Sequence, residues 1–210
     1  MILSILFLLV CLSVDSSLQY DDFGYNKVCT HDYQVRLAAA INRNRAIHQT
    51  PPLVLDETNY ELIRYATEQA AFNAGLRPYP PPRPAMGFGE FDATFTYSWI
   101  SPESLIDNFY HAGDDYPYYG REPPMEAIAK YGVFTQMIWV ASQRISFGCA
   151  DSGGNRFLVA TFVPPGNFIG QFAYNVRPPY NNSYRRPFGE QQAVNATVAP
   201  AAADADAETD

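Results

Sequence analysis

Positive charge is the scarcest property of this 210-residue chain: 14 Lys and Arg stand against 22 Asp and Glu, a net charge of -8 at pH 7. Nucleic acid and anionic membrane need clustered Lys and Arg, so the balance argues against both as partners. Much of the acid lies in Asp21 and Asp22 and in Asp204, Asp206, Glu208 and Asp210, which leaves the middle only mildly acidic. Cysteine is scarce too, with three in all, which excludes a disulfide-dense module and a four-ligand zinc ribbon. The apolar run in the first dozen residues is too short to span a bilayer, and no later run is long enough. What is abundant is core material: 47% of residues are hydrophobic and 15% aromatic against 17% charged, which speaks for a globular chain. One domain of roughly 150 residues with appendages is expected.

The apolar run Ile2 to Leu12 turns small and polar at Ser13, the pattern of a secretory signal peptide, residues 1–17, cleaved near Ser16 or Ser17. No Lys or Arg follows Met1, and a buried first helix is the alternative. A secreted, extracellular protein is expected. Cleavage would remove Cys11 and leave Cys29 and Cys149 in an oxidising compartment, where an even pair favours a disulfide closing a loop of about 120 residues. Spacing alone leaves two free buried thiols open.

After a polar lead-in, residues 18–28, Thr30 can cap a helix whose face carries Tyr33, Leu37, Ala40, Ile41, Asn44 and His48. Pro51 and Pro52 end it. Asp56 is expected to cap a second helix with Tyr60, Ile63, Thr67, Ala70 and Ala71 inward. The Pro-rich run Pro78 to Pro84 reads as an extended connector, or else as a recognition strip. Ser101 and Pro102 start a third helix through Leu105, Ile106, Phe109, Tyr110 and Gly113. The following loop, DDYPYYGREPP, is expected to cover part of a groove. Phe134, Met137, Ile138 and Ala141 have helical spacing. Arg144 to Ala150 and Arg156 to Val163 read as strands joined by a Gly-Gly turn. The order predicts an α+β fold with sheet between helices. Residues 179–210 shift to polar, then to an Ala-rich acidic stretch expected to be disordered, with glycosylation acceptors at Asn181 and Asn195.

The segments FTQMIW (Phe134 to Trp139), FVPPGN (Phe162 to Asn167) and GQFAYNV, with NRNRAIHQTPPLVLD and GFGEF upstream, resemble the signature regions of the CAP superfamily. That superfamily comprises cysteine-rich secretory proteins, antigen-five venom proteins and plant pathogenesis-related proteins. The resemblance spans about residues 29–178 and implies a three-layer α-β-α sandwich. In it Phe134, Thr135, Trp139, Pro164, Pro165, Gly166 and Asn167 have scaffold roles, with Gly166 the residue expected to permit positive φ and Asn167 to bond back to backbone.

Family members with a complete cavity carry two His and two Glu able to hold a divalent metal. Carried across, Glu90 is kept, Val133 stands where a His precedes the FTQ segment, and no His exists in the Pro-rich insertion. Ala112 replaces the helical Glu, with His111 beside it. No cofactor and no metal are therefore expected. The cavity or ligand groove is assigned to Glu90, Tyr110, His111, Val133 and Gln136, and His48 to a packed helix end. The resemblance implies a non-catalytic, monomeric protein binding a lipid or sterol, or an extracellular protein. A metal-dependent hydrolase using Glu90 and His111 is the alternative.

Overall fold

The computed structural model describes residues 28–96 and 100–180, together with the backbone of 195–199. The expected signal peptide, most of the lead-in and Asn181 lie outside these residues. Cys29 and Cys149 are joined in a disulfide, with their Cα atoms 5.2 Å apart.

Helix α1 (His31–Ile47) starts where Thr30 accepts a hydrogen bond from the Tyr33 N–H, and it buries Leu37, Ala40, Ile41 and Asn44. The Pro51–Pro52 elbow delivers the chain to β1 (Val54–Leu55), whose flank Leu53 is clamped at both N–H and C=O by the Asn42 side chain. Helix α2 (Tyr60–Asn73) begins one turn later than expected. Asp56 instead receives the N–H groups of Thr58 and Asn59 at 3.1 Å, and Asn59 is the cap. Thr67, Ala70 and Ala71 are buried as expected, together with Leu62, Tyr65 and Ala66, while Tyr60 is exposed and Ile63 only half-buried.

Strand β2 (Gly89–Thr96), helix α3 (Pro102–His111, capped by Ser101) and helix α4 (Met125–Met137) follow. Residues Tyr131 to Met137 are buried on every side, so apolar periodicity could not show that α4 starts as early as Met125. Ala141 lies beyond the helix and is exposed. Strands β3 (Arg144–Ser152) and β4 (Asn155–Val163) form a hairpin whose two turn residues, Gly153 and Gly154, have φ of 58° and 80°. Both values lie in the left-handed region that favours glycine, and they match the right-handed strand twist. A short helix α5 (Phe172–Asn175) comes next.

Within the stretch expected to lack order, Asn195–Ala199 forms β5, antiparallel to β2 over Glu90–Thr94. The sequence NATVA carries no charge, unlike the acidic residues after it, and β2 otherwise presents an open edge that a strand-forming segment can pair. The sheet order is β1-β3-β4-β2-β5, with only β1 parallel to its neighbour.

Alternation along the strands makes two faces. Ile145, Phe147, Leu158, Phe162, Phe91 and Ala93 join α1, α3 and α4 in the main core. On the other face Ala66, Ala70 and Ala71 of α2 pack on Ala150 and Val159. Helix α2 lies so close that a Cβ at Gly148 would be 2.2 Å from the backbone of Ala66 and Thr67. The result is an α+β sandwich of helices, sheet and helix.

Candidate functional site

Glu90 lies on the α2 face of the sheet. It is buried, 4% exposed, and accepts at Oε2 from the Tyr65 hydroxyl and from Arg83 Nη1, each at 2.9 Å. The Arg83 guanidinium carbon stands 4.5 Å over the Phe88 ring and 5.6 Å from the Tyr65 centroid. Burial, then the charge of Glu90, pushes the Tyr65 phenol up. Asp92, two residues along the same strand face, is held by Asn73 at 2.8 Å. Burial, and next the Glu90 charge, push its carboxyl up to about 7. Of these two carboxyls, Glu90 is ion-paired, with Arg83 of the Pro-rich strap.

His111 is elsewhere. Phe91 packs on Phe109 of α3, at 5.5 Å between ring centroids, and adjacent strand residues point to opposite faces. Glu90 therefore faces α2, while α3 lies across the sheet. At the end of α3, His111 Nδ1 meets the Asp114 carboxylate at 3.0 Å. The structure does not bring Glu90 and His111 together. Val133 is buried in α4. The groups bonded to Glu90 are a phenol and a guanidinium, which are not divalent-metal ligands, and among the described residues no three His, Cys, Asp or Glu side chains are grouped to hold one.

Part of the tyrosine loop packs inward. Tyr116 turns inward, with its ring centroid 5.0 Å from Tyr119, 5.2 Å from Tyr131 and 5.6 Å from Phe134. Tyr110 is buried against Phe134 and donates its hydroxyl proton to His48 Nε2 at 2.9 Å, while His48 Nδ1 bonds the Arg177 carbonyl. That arrangement makes Nδ1 the protonated nitrogen. Burial lowers the pKa of His48, the carbonyl of Arg177 opposing it.

The signature residues act on one another. Gln136 Oε1 accepts from the Gly166 N–H at 2.9 Å, and its Nε2 donates to Ser142 Oγ at 3.1 Å. Asn167 donates to the Gly132 carbonyl at 2.9 Å and accepts from the Thr135 hydroxyl at 2.6 Å. The left-handed residue of the corner is Asn167, with φ 61°, rather than Gly166. Glycine is needed at 166 for space: a Cβ would lie 2.8 Å from Gln136 Nε2 and from the Trp139 ring. The Val163–Pro164 peptide is cis, and the Pro164 carbonyl accepts from Ser142. Trp139 is fully buried against Phe172.

Two arginines went unremarked in the sequence. Arg45 is fully buried, and its guanidinium donates to the carbonyls of Pro51, Met137, Trp139 and Ser142. Desolvation lowers its pKa to about 10. The signal was its position four residues after Ile41, on the inward face. Arg83 had a weaker signal, a lone cation among prolines seven residues before Glu90.

A layered sandwich closed by this Gln136–Gly166–Asn167 corner defines a CAP-type domain. The model of the cysteine-rich secretory protein family matches residues 38–163, and the chain belongs to that family. It is 28% identical over 157 residues to the Golgi-associated plant pathogenesis-related protein 1 of Homo sapiens, covering 73% of this chain and 97% of that protein. A probable pathogenesis-related protein of Arthroderma benhamiae is 36% identical over 70 residues, 29% of this chain, but the match spans only 22% of that relative. The crystal structure of the hookworm platelet inhibitor shares the fold, with TM-score 0.50, 15% identity, and coverage of 70% of this chain and 76% of that one.

Proposed function

We propose that the protein is a secreted, non-catalytic CAP module that recognises an extracellular protein. The carrying observation is the rigid display of apolar side chains just past the signature corner. Ile169 and Tyr174 are 68% and 80% exposed. The backbone between them is pinned by Glu122, whose carboxylate accepts from the N–H groups of Gly170 and Phe172 at 2.7 Å each. Large apolar groups on a fixed backbone lose little freedom on docking, which is the economy of a protein-binding hot spot. A lipid or sterol carrier would need an apolar cavity, and in the Tyr110 to Tyr119 loop, which the sequence offered as apolar groove surface, Tyr116 packs its ring on Phe134 instead.

The test titrates the mature protein against a panel of extracellular domains and, in parallel, against a fluorescent sterol and long-chain fatty acids. Saturable binding to an extracellular domain, weakened about tenfold or more by Ile169→Asp with Tyr174→Asp at unchanged melting temperature, supports the proposal. Saturable sterol or fatty-acid binding that the double variant leaves intact overturns it.

A further inference from the structure

The Arg83 contact joins unlike parts. Its acceptor is built into the fold: Tyr65 from α2, with Phe88 and Glu90 from the entry to β2, are each under 5% exposed, and the two rings meet edge to face at 4.9 Å. Its occupant comes from a Pro-rich surface segment with no helical or strand hydrogen bonds, and the Arg83 side chain is 41% exposed. The acceptor offers a carboxylate oxygen and a phenol oxygen, at 2.9 and 3.2 Å from Nη1, beside an aromatic face. That combination suits a planar guanidinium, which can stack and donate at the same time, better than an ammonium. Without Arg83, Glu90 would be buried with Asp92 close by on the same strand face and without its ion-pair partner, so the site favours exchange of one cation for another over standing empty.

We propose that Tyr65, Phe88 and Glu90 form a guanidinium-recognition site that the chain fills with its own Arg83, and that the ligand admitted in exchange is an arginine side chain of a protein partner. This site is separate from the Ile169–Tyr174 surface, and either can fail without the other. Displacing Arg83 frees the strap from its anchor, so occupancy in trans is coupled to movement of Pro81 to Pro84 off α2, whose Tyr65 and Glu68 line the same small pocket.

The probe is the capped tripeptide acetyl-Gly-Arg-Gly-amide, with the Lys peptide as control, titrated by NMR against wild type, Arg83→Ala, and Arg83→Ala with Glu90→Gln. A tethered competitor acts at about millimolar effective concentration, so Arg83→Ala is expected to bind the Arg peptide about tenfold more tightly than wild type. The Lys peptide is expected to bind more weakly and the double variant not at all. Equal affinity of wild type and Arg83→Ala, equal affinity for the Lys peptide, binding that survives Glu90→Gln, or no binding to Arg83→Ala would each overturn the proposal. Should Arg83→Ala not fold, Arg83→Lys replaces it, keeping a cation without the planar fork. It is expected to raise Arg-peptide affinity above wild type, and an unchanged affinity overturns the proposal.

Discussion

Arg45 donates to the carbonyl oxygen of Trp139 at 2.9 Å, so a fully buried cation on the first helix holds the turn that follows the fourth. The same guanidinium also serves Pro51, Met137 and Ser142. Replacing it by Met keeps the stem and removes a donor from four carbonyls, of which that of Trp139 keeps the Ser142 N–H, and each polar group left unsatisfied costs about 1–3 kcal/mol. The expected loss is about 3 kcal/mol or more in a chemical denaturation series. Arg45→Lys should fall between, because an ammonium cannot reach all four acceptors.

Asp92 sets a pH dependence. Its carboxyl titrates near 7 in the fold against 3.8 as the reference, so the folded state prefers the protonated form. The penalty for ionising it is absent below about pH 4 and grows as pH rises toward 7. Asp92→Asn should therefore stabilise the protein at pH 8, by an amount on the order of a few kcal/mol, and leave it nearly unchanged at pH 4. Urea midpoints measured from pH 4 to 8 check this, and a variant curve parallel to wild type would refute it.

Replacing Cys29 and Cys149 together by Ala opens a loop with a sequence separation of 120. The chain-entropy model gives a loss of about 4–5 kcal/mol. Thermal unfolding of the double variant, compared with wild type under non-reducing conditions, reads the difference directly.

Gly148→Ala would place a methyl 2.2 Å from the backbone of Ala66 and Thr67. Backbone cannot swing aside as a side chain can, so α2 has to lift from the sheet, with a destabilisation of about 1–3 kcal/mol or more. Hydrogen exchange should rise in α2 before it rises in α1.

The fold was legible where one signal sufficed. Thr30 and Ser101 cap as their chemistry requires, and Gly153–Gly154 turns the hairpin expected of it. The start of α2 was misplaced because Asp56 has the right side chain for a cap but spends it on the preceding turn. Gly166 was assigned the wrong role because sequence shows that a glycine is present and not whether space or torsion demands it. Glu90 could be singled out by motif, but its partners Tyr65 and Arg83 come from a helix and a strap whose meeting is a property of the packed sheet. The inward turn of Tyr116 was equally invisible, since a Tyr-rich loop reads the same whether its rings line a groove or fill it.

The disulfide also decides how the protein carries mechanical load. Cys29 immediately precedes the Thr30 cap, and its partner sits in a central strand, so tension applied between the two ends of the chain bypasses the residues between them. At about 3.5 Å per extended residue, that withholds roughly 400 Å of chain that cannot pay out while the bond is intact. Helices α1 to α4 and strand β2 are thereby kept off the line of force, and β4 with the Pro164–Asn167 corner has to bear it.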